Sequence, residues 1–323
     1  MTIAEYIEGI QKKDIAILAK AITLIESSLD TDKKKAQQLI DKCIPIRKES
    51  IRIGVSGTPG VGKSTFIESL GMHLTKMKKK VAVLTIDPSS SISKGSILGD
   101  KTRMKKLSNS KLAFIRPSPS GGSLGGVCNS TQDSITLCEA AGYNIILIET
   151  VGVGQSETMV DLMTDFFIYL TLTENGDEVQ FIKKGVLELS DIIIINKSDL
   201  NKRRAKETLL NLRSQIEINN RRKKQNVFIC SALHNENIKN IWKHIEEKQK
   251  GEYNQQLIKK KRKQQNVKWV GKILKEEIVE ALEKNSEIKR ELEEINDKNI
   301  KNPRKKALAI MKKIKVYFEQ SHR

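Results

Sequence analysis

Gly57-Thr58-Pro59-Gly60-Val61-Gly62-Lys63-Ser64-Thr65 is the stretch on which the reading of this chain turns. It fits the pattern G-x-x-x-x-G-K-[ST], directly follows the β-branched run Ile51–Ser56 and leads into a helix-compatible segment. That strand, loop and helix order is the context the pattern requires. The glycines let the backbone curl until its N–H groups face a phosphate, and the start of the helix adds positive partial charge. Lys63 is expected to reach the β- and γ-phosphates of a nucleotide, and the Ser64 hydroxyl to ligate Mg²⁺.

Working outward from this loop, short β-branched runs alternate with helical segments: Ile51–Ser56, Val81–Ile86, Leu112–Ile115, Ile145–Ile148, Phe166–Leu172, Ile192–Ile195 and Val227–Cys230. The alternation predicts an α/β fold, a P-loop NTPase with a doubly wound, mostly parallel sheet. Before it, Ile15, Leu18, Ala21, Ile22 and Ile25 recur at helical intervals among charged residues. After about residue 248 the pattern is helical only, over 255–283 and 304–319, with Asn302-Pro303 as cap and first-turn proline of the last helix. The expected organisation is a helical N-terminal extension over 1–48, a nucleotide-binding domain over 49–248 and a helical C-terminal extension over 249–323.

Magnesium takes hard oxygen ligands, so carboxylates are expected at strand ends beside the loop. Asp87 and Glu149 stand at such ends, and Asp100 lies in a Gly/Ser/Lys-rich loop. Glu149-Thr150-Val151-Gly152 has the form of D-x-x-G with glutamate in place of aspartate. Gly152 would sense a γ-phosphate, and Gln155, just beyond, would position water.

Asn196-Lys197-Ser198-Asp199 follows Ile192–Ile195 and fits N-K-x-D. A carboxylate accepts guanine N1–H and N2–H together and is repelled by the unprotonated N1 of adenine, so Asp199 selects GTP and GDP over adenine nucleotides. The Lys197 stem is expected to lie against the base and Asn196 to tie the loop to its neighbours. Ser231-Ala232-Leu233 is placed to complete the base pocket.

The formal net charge of +19 is regional. Residues 201–323 hold 33 Lys and Arg against 16 Asp and Glu. Such a surface raises a nucleic-acid arm as a reading, but the aromatics there, mainly Trp242, Tyr253, Trp269, Tyr317 and Phe318, show no stacking cluster. A solvated helical surface fits better, with no nucleic-acid partner. Cys43, Cys128, Cys138 and Cys230 have neither zinc-site nor disulfide-framework spacing. With no apolar signal region at the start and no bilayer-length run, a cytoplasmic protein without membrane contact is expected.

These residues carry a resemblance. The phosphate loop, 81–90 (Val81-Ala82-Val83-Leu84-Thr85-Ile86-Asp87-Pro88-Ser89-Ser90), 95–104, 114–119, 121–127, 149–157 and 196–199 look like the MeaB/ArgK/MMAA family, GTPase chaperones of adenosylcobalamin-dependent methylmalonyl-CoA mutase. The resemblance covers most of residues 10–245. It implies hydrolysis of GTP, gating of cofactor loading into an acyl-CoA mutase, and a homodimer built by the C-terminal extension. It also implies Mg²⁺ coordination by residues matching Ser64, Asp87, Asp100 and Glu149, and a further switch over 176–185 in which Lys183 or Lys184 couples nucleotide state to the mutase. Two departures stand out: Thr173-Glu174-Asn175 replaces the family's Pro/Gly-rich stretch, and the lysine-rich tail matches only loosely. Two alternative readings are a GTP-dependent kinase of a transport-system protein and a metal-insertase GTPase. Asn196–Asp199 argues against an ATP-using kinase, and the scattered Cys and isolated His73 argue against an insertase metal site.

Overall fold

The computed structural model describes residues 1–27, 29–86, 103–117, 124–150, 155–173, 189–219, 226–285, 289–290 and 302–320. Three helices come first: α1 (Ile3–Gln11), α2 (Ile15–Ile25) and α3 (Asp30–Cys43). Thr2 and Glu5 form a reciprocal capping box on α1, and the Asp14 carboxylate accepts from the N–H groups of Ala16 and Ile17 to start α2. Leu18, Ala21, Ile22 and Leu24 are the buried face of α2, whereas Ile15 is exposed at its first turn.

From residue 51 strands and helices alternate. The strands are β1 (Ile51–Gly57), β2 (Val81–Ile86), β3 (Ala113–Arg116), β4 (Ile145–Thr150), β5 (Phe166–Thr171), β6 (Ile192–Ile195) and β7 (Asn226–Ile229). Between and after them lie α4 (Lys63–Lys76), α5 (Lys105–Ser108), α6 (Leu124–Ala140), α7 (Gln155–Asp161), α8 (Lys202–Asn219), α9 (Ile238–Gln249), α10 (Glu252–Lys284) and α11 (Pro303–Gln320). The strands form one parallel sheet in the order β3-β2-β4-β1-β5-β6-β7. Every residue of β1, β2, β4, β5 and β6 is buried, and β2, β5 and β6 read as nearly continuous apolar runs, as strands covered on both faces do.

The doubly wound reading therefore holds, with one instructive shift. Glu149 was expected just past the end of its strand, but β4 continues to Thr150. Because β4 lies between β1 and β2, Glu149 pairs with Val55 on one side and Thr85 on the other. A charged residue is thus drawn into a central strand by backbone pairing on both edges. At the far end of the chain the Asn302 side chain accepts from Lys305 N at 2.9 Å, capping α11 as its sequence suggested.

The chain divides into two compact units, Met1–Lys263 and Gln264–Arg323. In the first, α2 and α3 pack on α6, and Glu26 forms an ion pair with Arg116 at the end of β3. At the N-terminal edge of the sheet Arg52 donates to Glu139 at 2.7 Å, and Arg262 of α10 grips both oxygens of Asp165, each at 2.7 Å. Lys261 stands 3.3 Å from Asp161. Buried pairs of this kind specify register more than they add net stability. In the second unit Ile310 and Ile314 of α11 pack with Leu282 of α10. Of the C-terminal aromatics, Trp242 and Trp269 are buried within their units and Tyr253 is exposed. Among the described residues no helix is long and apolar enough to cross a membrane.

Candidate nucleotide site

β1 runs from the buried centre of the sheet straight into the phosphate loop. Gly57, its last residue, has φ 150°, and a side chain there would meet the Leu170 carbonyl of β5 at 2.4 Å. Gly62, at φ 94°, caps α4 without any side-chain hydrogen bond; a Cβ on it would sit 2.7 Å from Asn196 Nδ2. The residue that caps α4 thus has no side chain to compete for the first N–H groups of the helix, as suits an anion-binding helix start. Val61 is fully buried and anchors the loop, while Thr58, Pro59 and Gly60 are exposed. Thr65 continues the first turn of α4 and is half-buried.

A cavity of 560 Å³ opens over this loop, lined among others by Lys63, Ser64, Thr65, Thr85, Arg103 and Glu149. Ser64 Oγ donates to Glu149 Oε1 at 2.8 Å, so the loop serine and the strand carboxylate, expected to share a magnesium ion, lie within one hydrogen bond. Two hard oxygen donors at the mouth of a phosphate-shaped loop fit Mg²⁺, which takes such ligands and keeps several waters. Lys63 Nζ donates to the carbonyls of Gly57 at 2.7 Å and Thr58 at 3.1 Å. Burial lowers its affinity for the proton, opposed by the charges of Glu149 and Glu157. Its ammonium is thus held at the loop at an electrostatic cost, next to where a phosphate would sit.

The base-recognition loop is joined to the phosphate loop by one side chain. Asn196 Nδ2 donates to the Val61 carbonyl at 2.9 Å, while its Oδ1 accepts from Ala232 N at 3.1 Å and from Cys230 Sγ at 3.3 Å. Lys197 adopts φ 57°, which turns the chain so that its stem passes Gly62. Asp199 Oδ1 is sheltered and accepts no hydrogen bond among the described residues, and Oδ2 lies 3.9 Å from His234 Nε2. The neighbouring Ser231 hydroxyl is the main influence holding the Asp199 carboxyl below the ordinary aspartate range. A carboxylate kept ionised with one oxygen lacking a donor fits the N–H edge of guanine. Ser231 and Ala232 are buried beside it, and Leu233 is 70% exposed at the rim.

Ser64, Glu149, Lys63 and the Asn196–Asp199 loop are thus brought together. Gln155 opens α7, which follows the Glu149–Gly154 segment. Asp87, Asp100, Gly152, Lys183 and Lys184 lie outside the described residues. Four lining residues, Thr85, Ile86, Arg103 and Thr150, were not assigned a role from sequence. Arg103 follows Asp100 by three residues in the same loop, and that proximity was the available signal. Thr85, Ile86 and Thr150 gave none, since each reads as an ordinary strand residue.

The family model described as methylmalonyl Co-A mutase-associated GTPase MeaB matches residues 18–287. The chain is 42% identical to GTPase ArgK of Escherichia coli K12 over 293 residues, covering 90% of this chain and 88% of that protein. It is 39% identical over 298 residues to the mouse protein named methylmalonic aciduria type A homolog, mitochondrial, covering 88% and 72%. A crystal structure titled LAO/AO transport system kinase superposes with a TM-score of 0.77 at 34% identity over 97% of both chains. By the extent of these matches the chain belongs to the MeaB family of GTPases.

Proposed function

We propose that this GTPase acts as a GTP- and Mg²⁺-dependent chaperone of an adenosylcobalamin-dependent acyl-CoA mutase, gating cofactor loading and protecting the mutase. The observation that carries the nucleotide half of this reading is Asn196, whose side chain joins the phosphate loop to the Ser231–Leu233 loop, so that base choice and phosphate binding share one frame. The mutase half is supported by the family description and by the name of the mouse relative.

Ser64 and Glu149 would hold Mg²⁺, with Asp87 and Asp100 as further carboxylates; the ion supplies charge neutralisation for the phosphates. Lys63 exchanges its contacts with the Gly57 and Thr58 carbonyls for phosphate oxygens. The loop N–H groups orient the same oxygens, and Gln155 and the Gly152 N–H are assigned to water and γ-phosphate sensing. Catalysis of this type is placement plus charge stabilisation, with little covalent work for the protein. Lys183 and Lys184 are assigned to the segment that passes nucleotide state to the mutase.

GTP turnover should be measured with Mg²⁺, first for the purified protein and then with a purified adenosylcobalamin-dependent acyl-CoA mutase from the same source. Stimulation and a GTP-dependent complex are expected. Turnover indifferent to the mutase, with no complex, would remove the client and leave the nucleotide chemistry standing.

The homodimer is assigned to the C-terminal extension. Val267, Val270, Leu274 and Ile278 fall on one stripe of α10 and are between 42% and 68% exposed. Spacings of three and four residues make such a stripe a seam for a second helix. Substituting both Val270 and Leu274 by glutamate is expected to convert a dimer to a monomer by light scattering, with GTP binding retained. A dimer that survives both charges rules this seam out.

A further inference from the structure

We propose that Glu157 is a positioning residue of the nucleotide site, pinning α7 through Ser56 and Thr150 to the strand ends from which the phosphate loop and Glu149 emerge. The proposal rests on the nucleotide reading above.

Glu157 is 3% exposed, in the first turn of α7. Thr150 Oγ1 donates to Ser56 Oγ at 2.9 Å, and Ser56 Oγ donates to Glu157 Oε1 at 3.2 Å. Ser56 and Thr150 are themselves buried. Ser56 directly precedes Gly57 of the loop, and Thr150 directly follows Glu149 and lines the cavity. Three buried side chains thus join β1, β4 and the helix that begins at Gln155. Both hydroxyl protons are committed in one direction, toward the carboxylate, which fixes both rotors and makes the chain of bonds mutually reinforcing.

Glu157 Oε2 is sheltered and accepts no hydrogen bond among the described residues. A buried carboxylate oxygen left without a donor is destabilising. A simple strut between helix and strand would be served as well by glutamine, which has the same length and keeps an oxygen acceptor for Ser56. The charge is explained by its setting: with Glu149, it is one of two carboxylates whose field reaches Lys63. When Glu149 engages the magnesium site, Glu157 remains as the fixed negative charge behind the loop. Through Ser56, which in turn accepts from Thr150, it also ties α7 to the residue before the loop and to the residue after Glu149, so a small displacement of α7 is felt at both.

The test is steady-state GTP turnover of the full chain with Mg²⁺ for wild type, Glu157→Gln, Ser56→Ala and the double variant, with thermal melting of each. Glu157→Gln is expected to lower kcat by about tenfold or more, with KM for GTP within about twofold and the melting temperature near that of wild type. The double variant is expected to be no worse than the poorer single one, since Ser56→Ala removes the bond that holds the Glu157 charge in place and the loss of that charge then costs little more. Wild-type kcat in a folded Glu157→Gln protein, or losses that multiply as for independent sites, overturns the positioning role and leaves the nucleotide reading intact. A wild-type protein that neither binds nor hydrolyses GTP takes both readings down.

Discussion

Replacing Lys63 by alanine is expected to reduce GTP turnover by about 10²–10³-fold or more without lowering the melting temperature. Lys63 is 8% exposed and donates to the Gly57 and Thr58 carbonyls, so its ammonium is already committed to the loop before substrate arrives. Burial lowers its proton affinity, which means the folded protein holds this charge at a cost. Alanine removes that cost together with the hydrogen bonds to Gly57 and Thr58, and exposure at Thr58 lets water reach one of the freed carbonyls. Stability should then change little while phosphate stabilisation is lost, the usual separation at a site organised for function. Arginine is not expected to rescue, because its planar fork needs more room than one ammonium between two carbonyls. Turnover and melting measured on the same preparations decide the matter. Near-normal hydrolysis in Lys63→Ala would remove the phosphate role, and a large drop in melting temperature would recast the lysine as a structural strut.

What could be read in the sequence follows from the distance over which each feature is written. The phosphate loop, the runs that became β1 to β7, and the Asn302 cap are local, and each was recognisable within about ten residues. The pairing of Ser64 with Glu149 was legible because Ser64 opens the helix that follows β1 and Glu149 stands near the end of the neighbouring strand β4, and a parallel sheet brings both to one edge. The relay from Thr150 through Ser56 to Glu157 was not, since its bonds join residues about a hundred positions apart, Thr150 fills an unspecified position of the Glu149–Gly152 pattern, and Ser56 and Glu157 belong to no phosphate or base pattern. The basic C-terminal third misled in part for the same reason. It reads as solvated surface, yet Lys261 and Arg262 engage Asp161 and Asp165, carboxylates that lie in an earlier part of the chain and are brought to the sheet edge by α7 and β5. Charge by itself does not say whether its partner is water or a buried carboxylate. Arg103 illustrates the intermediate case, in a loop singled out for Asp100 but assigned only once the cavity had walls.

Asp199→Asn is expected to lower affinity for GTP by about 10²-fold or more and to bring in binding of xanthosine triphosphate. The carboxylate can accept from guanine N1–H and N2–H at once, whereas an asparagine amide offers one acceptor and one donor group, so its NH₂ meets the guanine amino group as a second donor. Xanthine carries a carbonyl at that ring position, and the same NH₂ then finds an acceptor. The surroundings of Asp199 support this exchange. Its Oδ1 accepts no hydrogen bond among the described residues, and the Ser231 hydroxyl holds the group below the ordinary aspartate range, so it stays ionised at neutral pH and gives guanine preference without a nearby titration. The loop itself should survive the change, because its frame is Asn196, tied to Val61, Ala232 and Cys230. Competition binding with a fluorescent guanine nucleotide, run against GTP, ATP and xanthosine triphosphate for both proteins, gives the result directly. Undiminished GTP affinity in the variant would place the base elsewhere, and loss of all three nucleotides would show that the loop had collapsed; only a reversal of preference assigns Asp199 to the base.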